Sequence, residues 1–296
     1  MTTRALTVAL PAHYRSADVL AFHARDGAGL AEQVSGERIR KAVLMRGVPV
    51  LLDVTLAPQA AHCQIEADGA LDAAAMACVH EALRSILALR IDPAPFDACV
   101  RADPVFGPLV ARRPGLRIVQ SASVFEALTW AVIGQQINLP FAIGLRRSFI
   151  AQAGRPHSSG LWCYPEAADA ARLDLDTLTS RKFSRAKAET LLRVARMAAD
   201  GALHLAQDDD PARAAPRLLA IKGIGPWTVN YTLLRGYGHA DCSLEGDVAV
   251  REALRRLLGE TEKPDHARTQ AWLAQYSPHR TMAAAYLWAS LAGTAG

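Results

Sequence analysis

Over the first 67 residues the apolar positions fall into short stretches rich in Val, Ile and Leu, separated by turn formers. They predict strands at Ala5 to Pro11, Glu37 to Gly47, Val48 to Pro58 and His62 to Asp68, a small antiparallel sheet. From Ala70 the period lengthens. Met76, Val79, Leu83 and Ile86 or Leu87 share one face of a helix running toward Leu89, and Asp92-Pro-Ala-Pro95 then breaks the pattern at a boundary. Beyond it the periodicity is helical. Ser123-Val-Phe-Glu126 is a capping box opening a helix with an apolar stripe of Phe125, Leu128 and Val132 that ends near Gly134. Ser184 caps a helix bearing Ala188, Leu191, Ala195 and Ala198, closed by Asp200-Gly201. Pro211 to Ala220 and Pro226 to Tyr237 predict two further helices. The fold class expected is α+β: a small antiparallel sheet domain followed by an all-helical body.

Composition narrows the class without naming a chemistry. With 296 residues, 51% hydrophobic and 21% charged, the chain buries a large core and shows no disordered bias. The five cysteines stand far apart with no CxxC pair, which supports neither a zinc site nor a disulfide framework. The longest nearly charge-free apolar run, Met282 to Gly293, is too short to span a bilayer, so no membrane partner and a cytosolic location are expected. The formal net charge of +4 suits work beside phosphates but carries little weight alone.

The informative stretch is Leu218 to Arg251. Two short helices flank Lys222-Gly-Ile-Gly-Pro226, where Gly223 and Gly225 permit a tight hairpin and bare the amides at the next helix start. For a lone GxG pair a plain turn between helices is by far the better explanation. Pro226 suits the first helical position, and Trp227 and Tyr231, four apart, put two rings on one helix face, in a core or around a ligand. Twenty residues after Trp227, Asp247 stands at a helix start followed by Val248, Val250 and Leu254. An N-cap is the ordinary reading of such an Asp.

Taken together, Leu219-x-x-Lys-Gly-Ile-Gly-Pro-Trp-Thr228, the aromatic face and Gly246-Asp247 resemble the helix-hairpin-helix superfamily of DNA base-excision glycosylases, and most closely its alkylation-repair branch. Phe125-Glu-Ala-Leu-Thr-Trp-Ala-Val-Ile-Gly-Gln-Gln136 is similar to that branch's helix and DNA-penetrating turn, Arg185 to Glu189 to its next helix, and Pro278 to Trp288 to its C-terminal helix. The β-rich start, with Tyr14 and Phe22, also has a counterpart.

The resemblance implies three parts: residues 1–91, a helical domain over 121–240 holding the hairpin, and a second helical part from 92–120 plus 241–296, with a cleft between the helical parts. It implies a monofunctional glycosylase that flips alkylated purines of the 3-methyladenine and 7-methylguanine type out of duplex DNA and hydrolyses them off. Asp247 would be the catalytic carboxylate, stabilising the oxocarbenium-like transition state. Trp227, Tyr231 and Trp288, with Phe22 at the edge, would form the base pocket, where cationic bases gain roughly 0.5 to 2 kcal/mol over electron-rich rings. Gln135 and Gln136 would fill the gap in the stack, Gln136 where some relatives carry an apolar side chain. The amides of Gly223, Ile224 and Gly225 would grip the backbone. Carbonyls of Leu219, Ile221 and Ile224 would hold a monovalent cation, sodium or potassium, with no cofactor otherwise required. A monomer is expected.

Two rivals remain in view. A non-catalytic helix-hairpin-helix DNA-binding module would gain nothing from a carboxylate facing an anionic backbone. A glycosylase of the same fold for oxidised purines would carry a Schiff-base lysine where this chain has Trp227, and Lys222 lies inside the hairpin instead. Branches with an iron-sulfur cluster carry four C-terminal cysteines, whereas only Cys242 lies beyond residue 163 here.

Overall fold

The computed structural model of the chain describes residues 2–292. Strands β1 (Thr2–Ala9), β2 (Glu32–Ser35), β3 (Arg38–Met45), β4 (Val48–Ala57) and β5 (Ala60–Ala67) form one antiparallel sheet in the order β1-β5-β4-β3-β2. Arg46 and Gly47 both have positive φ, 53° and 82°, the backbone that a two-residue hairpin between twisted strands requires. The register pairs Val43 with Val50 and Val54 with Cys63. One face buries Val50, Leu52, Val54 and Ile65 against Val79, Leu83 and Ile86 of α2 (Ala73–Ile86). A helix α1 (Ser16–His23) and strand β2 lie between β1 and β3 in the chain, neither anticipated from the apolar pattern.

The remainder is mostly helical: α3 (Ala94–Cys99), α4 (Phe106–Arg112), α5 (Val124–Gly134), α6 (Leu139–Ala153), α7 (Ala167–Ala170), α8 (Leu175–Thr179), α9 (Arg185–Ala199), α10 (Pro211–Leu219), α11 (Pro226–Thr232), α12 (Val248–Leu257), α13 (His266–Ala274) and α14 (Arg280–Ala292). It is not all-helical. Strands β6 (Arg155–Pro156) and β7 (Trp162–Cys163) pair with each other, and Tyr164 bridges to Val43 of β3, closing the second face of the sheet over Ala42, Leu44 and Leu51. Two-residue strands are too short to carry an alternation, so sequence periodicity does not see them. The predicted helix from Pro226 to Tyr237 is α11 followed by a π-helical turn, Leu233–Tyr237, which ends at left-handed Gly238.

The capping box of α5 forms with its return arm moved by one residue. Ser123 Oγ accepts from the Glu126 amide at 3.1 Å, while Glu126 Oε2 accepts from Ala122 N instead of Ser123 N. The reason is the second oxygen: Glu126 Oε1 takes Lys41 Nζ at 3.2 Å and Arg146 Nη2 at 2.7 Å in a buried cluster that also contains Glu32 and His23. Burial alone would push the Glu126 carboxyl up, but Lys41 and Arg146 outweigh it and hold it below the ordinary range. This cluster fastens the sheet to α5 and α6. Among the described residues no helix is long and apolar enough to cross a membrane, and no group of His, Cys, Asp or Glu side chains could hold a metal ion.

Candidate active site

Proline at the first position of α11 sets the helix start, and the four-residue spacing then stacks Trp227 on Tyr231 with centroids 5.1 Å apart and planes 30° apart. Trp288 of α14 comes against Tyr231 at 6.5 Å. Both indoles point their N–H at one carboxylate: Trp227 Nε1 donates to Asp247 Oδ2 at 2.9 Å, and Trp288 Nε1 to Asp247 Oδ1 at 3.0 Å. Asp247 is also the N-cap of α12, where Oδ1 accepts from the amides of Ala249 and Val250 at 3.0 Å each. Capping and facing the aromatic residues are therefore not alternatives for this Asp. Oδ1 is saturated by three donors, whereas Oδ2 has one donor and a lone pair left for a ligand.

Phe22 joins the group through two guanidinium groups that sequence reasoning missed. Arg25 lies over the Phe22 ring at 3.8 Å and near Trp130 at 5.0 Å. Arg235, from the π-helical turn, stands 4.9 Å from Phe22, 5.6 Å from Tyr231 and 5.8 Å from Trp288. The faces expected to attract a cationic base thus already carry the chain's own cations. One signal was present, because Arg235 continues the four-residue series Trp227, Tyr231. Burial pushes the Tyr231 hydroxyl up, but Arg235 and Arg25, with a hydrogen bond from Trp130, hold it below the ordinary tyrosine value.

The two glutamines after α5 differ in position. Gln135 is tied down, its Nε2 donating to Gly223 O at 3.0 Å and to Thr228 Oγ1 at 2.9 Å. Gln136 is exposed with φ 55°, an uncommon conformation for a side-chain-bearing residue. Exposed Leu139 and Phe141 follow at the start of α6.

In the hairpin, Gly223 has φ 96° and a Cβ there would meet Thr190 Oγ1 at 2.2 Å, so only glycine fits. Gly225 differs from the expectation of tight packing, since nothing lies within 4 Å of where its Cβ would be. The Ile224 amide turns inward to Ile221 O at 3.0 Å, which removes it from the predicted phosphate grip. Among the described residues the amides of Gly223 and Gly225 have no acceptor. The carbonyls of Leu219 and Ile224 likewise receive no donor among the described residues, and Ile221 O receives one. Elsewhere, a cavity of about 530 Å³ opens at the seam of sheet and helices beside Val43, Cys78, Ser123 and Tyr164, and none of the predicted site residues lines it.

Comparisons agree with this architecture. Residues 5–123 match the family described as AlkA N-terminal domain, and residues 129–279 match the HhH-GPD superfamily base excision DNA repair protein family. A DNA-3-methyladenine glycosylase of Bacillus subtilis is 31% identical over 202 residues, covering 67% of each chain. DNA-3-methyladenine glycosylase 2 of Escherichia coli is 28% identical over 184 residues, 62% of this chain and 63% of that one. The chain spans about two thirds or less of the length of these relatives. The solved structure of a 3-methyladenine DNA-glycosylase from Archaeoglobus fulgidus superposes with a TM-score of 0.82 at 20% identity, covering 98% of this chain and 99% of that one.

Proposed function

The chain belongs to the HhH-GPD superfamily of base excision DNA repair proteins, and from that premise we propose that it is a monofunctional glycosylase releasing alkylated purines from duplex DNA. The observation that carries the reading is Asp247, a carboxylate fixed by two amides and two indole N–H groups beside Trp227, Tyr231 and Trp288. A base inside a duplex is out of reach, so it must be turned out and held between such rings. The C1′–N bond then breaks with its electron pair leaving on the base, and positive charge builds on the sugar. The free lone pair of Asp247 Oδ2 faces that charge. Because every other contact of this carboxylate is already made, little reorganisation is needed as the charge appears. Water adds to C1′ and gives up a proton, leaving an abasic site in an intact strand.

The remaining residues take supporting parts in this reading. Gln136, free and exposed, enters the gap in the stack, while Gln135 braces the turn against the hairpin. The free amides of Gly223 and Gly225, with open space at Gly225, meet the DNA backbone, and contacts of that kind position without reading sequence. A sodium or potassium ion on the carbonyls of Leu219, Ile221 and Ile224 would add positive charge facing a phosphate. A non-catalytic binding module accounts for Asp247 as the cap of α12 but not for its open Oδ2 lone pair among three aromatic rings. Chromatography of free bases released from methylated duplex DNA tests the assignment: 3-methyladenine or 7-methylguanine released above the uncatalysed rate supports it, and no release by the folded protein refutes it.

A further inference from the structure

Helix α5 ends at Gly134, immediately before Gln135 and Gln136, and its own backbone closes that turn weakly: the Gln135 amide reaches Val132 O only at 3.4 Å. A helix leaves its last carbonyls without partners and favours a cation beside them, yet α5 has no basic residue in its last turn. The cation comes from another helix. Lys187 of α9 donates from Nζ to Ile133 O at 2.7 Å. Lys187 is the third residue of α9, where helix starts favour negative charge, so the ammonium is badly placed for its own helix and well placed for the end of α5. Among the described residues no carboxylate pairs with it, and burial holds it below the ordinary lysine value.

The same side of α9 also meets the hairpin. Thr190 Oγ1 fills the space beside Gly223 that a Cβ would need, and Arg193 Nη1 donates to Lys222 O at 2.8 Å. Lys187, Thr190 and Arg193 follow at intervals of three, a stripe along one side of the helix. One helix thus holds both segments that the functional reading sets against DNA, the turn after α5 through Lys187 and the hairpin through Thr190 and Arg193. Gln135 joins the two directly, its Nε2 shared between Gly223 O and Thr228 Oγ1. Gln136 stands outside this network, exposed, with a left-handed backbone at φ 55°. Such a backbone is costly for a residue with a side chain and persists where the surroundings fix it.

We propose that Lys187 is a positioning residue for base flipping: by holding the end of α5 it presents Gln136 already aimed at the base stack, so that insertion does not first have to order the turn. The inference rests on the glycosylase reading and on Gln136 as the inserting side chain. Ordering a loosened turn at the moment of insertion slows that step without touching the hairpin's grip on the backbone. Lys187→Met and Lys187→Arg are compared, alone and combined with Gln136→Ala, with melting temperatures measured in parallel. Flipping is read from a fluorescent base beside a stable abasic-site analogue, and release from single-turnover excision of 3-methyladenine from methylated duplex DNA. Lys187→Met should lower both by about tenfold or more, the scale of a small misplacement of a positioned group, and Lys187→Arg, which keeps a charged donor, should recover part of the loss. In the Gln136→Ala background Lys187→Met should add less than about a further twofold, since the two changes disable one step. The salt dependence of binding to undamaged duplex should be unchanged. Should Lys187→Met fail to fold, Lys187→Gln, which keeps a neutral donor, takes its place. Losses that multiply in the double variant overturn the proposal, as does a Gln136→Ala protein that flips normally. A salt slope shallower by about 0.9 overturns it too, because the ammonium then serves a phosphate. A lowered melting temperature with normal flipping reduces Lys187 to a brace and also overturns it. Release of no base by wild type overturns the glycosylase reading itself, and the flipping signal then decides the part of Lys187 alone.

Discussion

Replacing Asp247 by Asn separates its two duties in a way that geometry makes quantitative. The carboxylate accepts four hydrogen bonds, three at Oδ1 and one at Oδ2. An asparagine that keeps its carbonyl oxygen at the Oδ1 position retains the cap of α12 and the Trp288 contact. Its amide nitrogen then faces the Trp227 N–H, donor against donor; the flipped rotamer is worse because it opposes three donors. One charge-assisted hydrogen bond is lost and one donor is stranded, a cost of about 2 to 3 kcal/mol, which corresponds to a fall of roughly 5 °C in melting temperature for a chain of this size. The protein therefore stays folded at 25 °C. Excision should nonetheless fall by about 100-fold or more, because the developing sugar charge loses its counter-charge. Single-turnover release of 3-methyladenine and differential scanning calorimetry on the same preparation decide the matter. Excision within about threefold of wild type, together with the expected melting shift, would reduce Asp247 to a helix cap and refute the reasoning.

Other outcomes follow from the same geometry. Gln136→Ala should lower the excision rate and the fluorescence change of a base analogue beside the lesion, with little effect on binding undamaged duplex; if Gln135→Ala alone suppresses the signal, the inserting residue has been misidentified. Borohydride added during turnover should trap no protein–DNA adduct; if one forms, Lys187, whose ammonium burial holds below the ordinary lysine value where it meets Ile133 O, is the first residue to replace. Glu126→Gln should destabilise the chain, by less than the ~3 to 5 kcal/mol of a fully uncompensated buried charge, because Lys41 and Arg146 are left to share Glu32. Because the Glu126 carboxyl is held below its ordinary range, its contribution is present at neutral pH and is lost as pH falls through the folded-state value. Denaturation at pH 7 should therefore separate the two proteins more than denaturation well below pH 4, and a constant difference would contradict the ion cluster.

Much of this fold was legible because it rests on local rules. Ser123 and Ser184 cap where their side chains predict, and the strands from Arg38 to Ala67 follow their Val, Ile and Leu stretches closely. What was missed depends on distance along the chain. Glu32, Lys41 and Arg146 stand far from one another and from the capping-box residue Glu126 until folding brings them together, and nothing in their spacing announces it. Helix α1 carries Val19, Leu20 and Phe22 without a clean apolar stripe, so periodicity passes over it and over Arg25 just beyond its end. The aromatic residues and Asp247 were found through resemblance joined to spacing, whereas Arg235 was hidden by the habit of reading arginine as solvent-facing. Its placement follows from the π-helical turn, which no propensity forecasts.

The cap at Asp247 has a consequence for how such a site can change over generations. Its carboxylate is aimed by two main-chain amides of α12 and by the indole N–H groups of Trp227 and Trp288, so its position belongs to the helix and those two rings and not to the other residues of the pocket walls. In the proposed reading, substitutions at Phe22, Tyr231, Arg25 or Arg235 would reshape the pocket while the carboxylate stays where it is. For the proposed glycosylase, a lineage could thus explore new damaged bases one wall residue at a time without losing activity on the way, so that substrate range would be the evolvable part and the placement of its charge the conservative one.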